Sequence, residues 1–281
     1  MNLITWNVQW CRGVDGSVDA ARIARTALDT AAFDVLCLQE IAVNFGSLAG
    51  SRSEDQMGEL AQALPGYIPI FGTATDLPDD AGGRSLFGNA VFTRLPASQV
   101  FRHSLPWPAD PGVPSMQRMA LEVVVQTTSG PLRVISTHLE YYSPLQRMAQ
   151  VEALRQLHEE ACGHARAPRP DAEEPGTPFS PAHRPASAMV CGDFNFEPHH
   201  LEHARITAPF SNGEPAFRDA WELAHPGLPH TPTVGVHENS LPAACFDFVF
   251  VTQDMAPRVR RVEVNSATQA SDHQPVLVEL E

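Results

Sequence analysis

The chain has 281 residues, 43% of them hydrophobic and 19% charged, enough apolar content for a substantial core. Its formal net charge is −14 and all 19 basic residues are arginines, which argues against an extended surface for gripping nucleic acid, where affinity rests on neutralising phosphates. No window approaches the ~20 consecutive apolar residues of a membrane span and no signal-peptide pattern opens the chain, so a cytoplasmic protein is expected. The five cysteines are odd in number and scattered, which predicts buried reduced thiols rather than a disulfide framework or a zinc site.

Residues 2–10 alternate as a strand would, with Leu3, Thr5 and Asn7 on one face and Ile4, Trp6 and Val8 on the other. Residues 19–32 read as a helix with Asp19 in its first turn, and residues 33–40 as a buried strand ending in Gln39 and Glu40. A short helix over 56–64 and a strand over 67–71 follow, then an exposed loop over 76–84. Residues 89–94, 100–101 and 121–125 continue the sheet, separated by an irregular, proline-rich stretch at 107–114. The strand at 132–139 ends near His138. Over 144–160, Leu145, Met148, Val151, Leu154 and Leu157 recur at the spacing of a core-facing helix.

Residues 163–185 are dominated by Pro, Ala, Arg and Glu and predict a flexible, solvated insert. Next, Ala188 to Cys191 form a short apolar strand, Gly192 relieves the backbone, and Asp193 and Asn195 fall on one face if the chain stays extended. A helix is predicted over 216–224 and a strand over 245–251, in which Asp247 is costly to bury without a partner. Ser271, Asp272 and His273 stand immediately before the last strand pattern. Strands occur in both halves, so one domain over residues 1–281 is expected.

Asn7, Glu40, His138, Asp193, Asn195, Asp247, Asp272 and His273 thus all fall at or near the ends of apolar strands. Singly, each has a plain structural reading as a cap, a turn former or a satisfied buried histidine. Jointly, carboxylates, amides and imidazoles on one rim are unfavourable unless they bind metal or perform chemistry.

The ordered segments TWNVQW, LCLQE, GNAVFTR, STHLE, GDFN, FDFVFV and SDHQPV, spread over residues 2–278, resemble the endonuclease/exonuclease/phosphatase superfamily. The resemblance implies an α+β fold, a four-layered α/β/β/α sandwich of two β-sheets flanked by helices, with the site at one edge. It implies Mg²⁺ or Mn²⁺ held by Glu40, with Asn7 beside it and Asp272 acting directly or through water. Asp193 would orient or deprotonate the attacking water, Asn195 would stabilise charge on the phosphoryl oxygens, and His273, oriented by Asp247, would bind the phosphate together with His138. Arg118, Asn89 and Tyr141 are the expected substrate contacts at the rim. The implied activity is metal-assisted, in-line hydrolysis of a nucleic-acid or related phosphodiester. A phosphomonoesterase or a lipid head-group diesterase is the second reading, and an inactive binding module on the same scaffold the third.

Overall fold

The computed structural model describes residues 1–79, 82–167, 177, 179–180, 183–237 and 242–281. In chain order come β1 (Asn2–Asn7), α1 (Ala20–Thr30), β2 (Val35–Val43), α2 (Gln56–Ala63), β3 (Ile68–Pro78), β4 (Arg84–Thr93), β5 (Ala97–Ser104), β6 (Met119–Thr127) and β7 (Gly130–His138). After them come α3 (Pro144–Arg166), β8 (Ala188–Asp193), α4 (Leu201–Ile206), β9 (Phe217–Asp219), α5 (Ala220–Ala224), β10 (Asp247–Thr252), β11 (Val259–Val264) and β12 (Val276–Leu280).

The alternation in β1 sorts its side chains into two cores. Leu3 turns inward with Val35, Cys37 and Val91 to meet Leu121, Val134 and Met189 of the opposite sheet. Ile4 and Trp6 turn outward onto Ile23, Ala24 and Ala27 of α1 and Leu60 of α2. On the other side, Val190, Phe248 and Phe250 pack against Val151 and Leu154 of α3 and Ile206 of α4. The result is the four-layered α/β/β/α sandwich. Its sheets have six strands each, in the orders β11-β12-β1-β2-β4-β3 and β5-β6-β7-β8-β10-β9. All five cysteines are buried and free. Among the described residues, no helix is long and apolar enough to cross a membrane.

Several elements differ from the sequence reading. The strand predicted to stop at Glu40 runs on to Val43, so Glu40 lies inside it. The loop expected over 76–84 is largely a hairpin, with β3 pairing β4 as far as Pro78 opposite Arg84. The helix expected over 216–224 begins as strand β9. Strand β11 was not predicted, because its VRRVEV sequence carries the charges of an exposed edge strand. Of the insert expected over 163–185, the first four residues belong to α3 and residues 168–176, 178 and 181–182 lie outside the described residues. Arg184 is not solvated. It is buried, and its Nε and Nη2 donate to both oxygens of Glu122 at 2.8 and 2.9 Å.

Helix α3 corrects a further expectation. Val151 and Leu154 are buried as predicted, but Leu145 is 56% exposed, and Met148 and Leu157 are only partly covered. Polar side chains fill the remaining buried face. Gln150 accepts from the Glu140 amide at 2.9 Å, Arg147 donates to the Glu140 and Tyr141 carbonyls, and Arg155 donates to those of Ile206 and Ala208. The helix thus satisfies loop backbone that no strand reaches.

His158, on the same face, meets Arg133 Nη2 at 2.7 Å with Nδ1 and the Pro215 carbonyl oxygen at 2.9 Å with Nε2. Burial first, and the Arg133 charge second, push its pKa down to about 4. The folded state therefore excludes a proton that the unfolded chain binds near pH 6.5. Stability from this group is complete above pH 6.5 and is lost as pH falls toward 4, by up to about 3 kcal/mol. Denaturant titrations should show that loss in the wild type and a smaller one in His158→Gln.

In the second sheet, β7 and β8 run parallel, pairing Thr137 with Gly192 and His138 with Asp193. A Cβ on Gly192 would stand 1.8 Å from the Thr137 carbonyl oxygen, at a φ of +139°. Glycine lets the two strands close at this rung. Gly192→Ala should destabilise the protein by roughly 2–4 kcal/mol or prevent its folding, read as a fall in melting temperature.

Candidate active site

Each sheet holds one parallel pair at its centre, β1 with β2 and β7 with β8, and each pair is joined through a helix. Carboxyl ends of parallel strands are where open α/β sheets place their chemistry. Asn7 ends β1, His138 ends β7 and Asp193 ends β8. Antiparallel β10 starts at Asp247, opposite Asp193, so His138, Asp193 and Asp247 lie on one rung across three strands.

Glu40 reaches the same edge by a different route. On a regular strand it would follow Leu36 and Leu38 toward the helices. Instead the β2–β4 register shifts between Leu38 and Ile41, and Glu40 takes a φ of +62°. This bulge re-aims the carboxylate. Gln39, one residue earlier, is buried between the sheets and donates to Ser136 Oγ at 2.9 Å.

These side chains converge. Asn7 Nδ2 donates to Asp193 Oδ2 at 2.9 Å and to Glu40 Oε1 at 3.1 Å, linking the two sheets. His273 Nδ1 meets Asp247 Oδ2 at 2.8 Å, while its Nε2 lies 3.7 Å from Asp193 Oδ2. His138 Nε2 lies 3.4 Å from the same Asp193 oxygen. Asn195 donates its amide hydrogens to His138 Nε2 at 3.0 Å and the Leu139 carbonyl at 2.9 Å, and its backbone N–H donates to Asp193 Oδ1. The Asn195 amide therefore faces protein acceptors, and a phosphoryl oxygen taking one of its hydrogens has to displace His138.

The two histidines are driven to opposite charge states. For His273, burial disfavours the charged ring, but Asp247, Asp193 and Asp272 outweigh it and hold the pKa well above the usual value. For His138, burial first, then the charges of Arg118 and His273, hold it far below. His138 is thus neutral, which suits it to accept from Asn195. Burial raises the Asp193 carboxyl to about 7 against the pull of His273, and burial also raises Glu40, with Asp272 adding like-charge repulsion and Asn7 opposing it.

Two groups at this edge offer donors to a cation: Asp193, Asp247 and His273, whose ligand atoms lie within 4.8 Å of one another, and the Glu40 and Asp272 carboxylates. Glu40 retains 18% side-chain exposure at the edge, close enough to Asp272 for their charges to repel. Oxygen donors of this kind suit Mg²⁺ or Mn²⁺. Asn7 fits less directly, since its nitrogen faces Glu40 and its oxygen accepts from the Gln9 backbone at 3.1 Å. Ligation by Asn7 requires the amide to turn over.

The expected rim contacts separate by depth. Tyr141 is 49% exposed, but Arg118 and Asn89 are buried. Arg118 Nε pairs with Glu140 at 3.2 Å, and Asn89 donates to the Met119 and Ser136 carbonyls. Together with His138 they line a small cleft beneath the rim.

Sequence reasoning missed several supporting groups. Gln9 donates to Asp272, Ser271 Oγ donates to the Asn7 carbonyl, and Thr233 Oγ1 accepts from the Phe246 and Asp247 amides at 3.1 Å each. Gln9 lies past the end of β1, at the start of a tight turn where its φ is +46°, so strand alternation did not mark it. For Thr233, nothing local in the sequence marked the role.

Comparison with solved structures supports the fold. Over 100% of this chain, an endonuclease/exonuclease/phosphatase from Beutenbergia cavernae matches at 24% identity, with a TM-score of 0.64 and 71% of its own chain covered. A mannosyl-6-phosphatase from Bacteroides thetaiotaomicron matches at 19% identity, TM-score 0.71, over 100% of this chain and 99% of its own. D. rerio TDP2 complexed with a single-strand DNA product matches at 18% identity, TM-score 0.63, over 100% of this chain and 98% of its own. No curated protein matches significantly by sequence. The model of the Endonuclease/Exonuclease/phosphatase family matches residues 4–273, and with the two-sheet sandwich and its edge of carboxylates and histidines, the chain belongs to that family.

Proposed function

We propose that the protein is a divalent-metal-dependent phosphodiesterase that hydrolyses a nucleic-acid-like or related phosphodiester by in-line attack of water. The observation that carries this reading is the convergence of Glu40, Asn7, Asp193 and His273–Asp247 from both sheets onto one buried edge. Glu40 and Asp272 hold the cation, Mg²⁺ by preference, which when bound supplies charge neutralisation at the phosphoryl group. Asp193 holds the attacking water and accepts its proton. Asn7 and the Asn195 backbone N–H fix that carboxylate's orientation.

His273, kept cationic by Asp247, donates through Nε2 to a non-bridging oxygen, where negative charge builds up. His138 stays neutral and adds a second polar contact, its ring fixed by Asn195. The two sheets together read as one domain, since the site takes residues from both.

The diester preference rests on the rim. Tyr141 and Tyr142 follow His138 by three and four residues, stand edge to face at 4.9 Å and are about half exposed. Their faces can stack an organic group carried by the phosphorus. That group is absent on one side of a monoester.

Glu40→Gln and Asp193→Asn should each lower kcat on bis-p-nitrophenyl phosphate by about 10²–10⁴-fold while the melting curve persists. Chelation should abolish turnover and Mg²⁺ or Mn²⁺ restore it; full activity in either variant would overturn the assignment, and faster cleavage of the monoester would replace diesterase by phosphatase. Tyr141→Ala should raise KM for an oligonucleotide by about 10-fold, the loss of one stacked base, with little change in kcat.

A further inference from the structure

Away from the reaction edge, three metal-capable side chains converge beneath α4. His203 comes from α4, Asp219 from the end of β9 and His230 from the loop after α5. Both Nε2 atoms lie on one oxygen, Asp219 Oδ2, at 2.8 and 2.9 Å. Their ligand atoms all lie within 4.8 Å of one another. The side chains are buried, none more than 9% exposed.

Asp219 gathers three donors, both rings on Oδ2 and the Trp221 backbone N–H on Oδ1 at 2.8 Å. The rings are also fixed in place. His203 packs on Phe248 and Phe250 with centroids 5.4 and 5.6 Å apart, and His230 lies at 27° to the Trp221 indole. Asp219, His230, Thr231 and Asp247 border an adjoining cavity of about 10 Å³, enough for one water. Asp247 Oδ1, the carboxylate oxygen not used by His273, has no hydrogen-bond partner among the described residues.

We infer that His203, Asp219 and His230 form a binding site for a borderline divalent cation of the zinc type, completed by a water in that cavity. Two imidazoles and one carboxylate match that cation, whereas Mg²⁺ prefers oxygen alone. Bonds of about 2.0–2.2 Å in a tetrahedron set ligand atoms about 3.3 Å apart, so the contacts widen by about half an ångström on binding. Each ring then carries its hydrogen on Nδ1. The cation ties α4 to β9 and to the loop preceding β10, behind Asp247. Its role is to brace the His273–Asp247 pair from outside, and it holds whether or not the edge is a diesterase.

The test is zinc retention. Chelator-stripped protein is incubated with Zn²⁺ in excess Mg²⁺, passed through a desalting column and assayed for metal by mass spectrometry. About one equivalent should remain in the wild type and in Glu40→Gln, and His230→Gln and His203→Gln should lose it. Zinc should raise the melting temperature of the wild type but not of His230→Gln, and Co²⁺ should give the visible absorption of a four-coordinate site. A wild type that retains no zinc overturns the proposal without depending on any variant's folding. Retention unchanged in His230→Gln, or lost in Glu40→Gln alone, would place the metal elsewhere and overturn it equally.

Discussion

The constraint on which the site depends is the repulsion among carboxylates held at a nearly dry edge. Asp193 and Asp247 are almost fully buried, and Glu40 and Asp272 lie close enough to affect them or one another. Charges cannot be taken from water at this density without compensation, and replacing such pairs by apolar residues is often neutral or stabilising. The chain compensates in two ways. His273 inserts a positive charge between Asp247 and Asp193, and Asn7 spans Glu40 and Asp193 as a neutral donor. His273 and Arg118 offset the repulsion between Glu40 and Asp272 only in part, since burial still leaves the Glu40 carboxyl raised, and there a bound divalent ion has most to contribute.

The same electrostatics separates two histidines that sequence alone cannot distinguish. His138 and His273 both approach Asp193 Oδ2, at 3.4 and 3.7 Å. The difference lies on the other nitrogen: His273 Nδ1 is hydrogen-bonded to Asp247 at 2.8 Å, whereas His138 Nδ1 comes only within 3.9 Å of Glu40. His138 has Asn195 as a donor, and burial first, then the charges on Arg118 and His273, keep it neutral. Burial and the charges around each ring decide which one carries the proton, a division of roles set by environment rather than residue type.

Much of this was legible in the sequence, for a physical reason. A strand that changes abruptly from apolar to polar has few destinations other than a sheet edge, and this pattern marked Asp193 and Glu40; alternation placed Asn7 and His138 near strand ends, while Asp247, read as interrupting a strand over 245–251, in fact begins β10. The resemblance to a family supplied the layers and the partner of Asp247. What stayed hidden was non-local or backbone-determined. The bulge that turns Glu40 toward the edge depends on a positive φ opposite β4, which no period-2 pattern encodes. Arg118 and Asn89 read as rim residues because their partners, Glu140 and two strand carbonyls, are remote in sequence. Leu145 read as core because helical spacing does not reveal that α3 buries Gln146, Arg147 and Gln150 instead.

That polar face of α3 connects fold to function. The residues after His138 leave the sheet, so their backbone groups lose ladder partners at the point where the substrate would arrive. Gln150 and Arg147 replace those partners, and Glu140 adds its own carboxylate to the Tyr142 amide and Arg118. An apolar α3 would bury more hydrocarbon but leave these carbonyls and amides unsatisfied, at about 1–3 kcal/mol each. The loop would then be free to wander, and with it the tyrosines beside His138. Stability of the outer layer is therefore coupled to the shape of the rim. Substitutions on α3 that never touch the edge should consequently act on it through Glu140, because that residue is the shared acceptor of the loop and of Arg118.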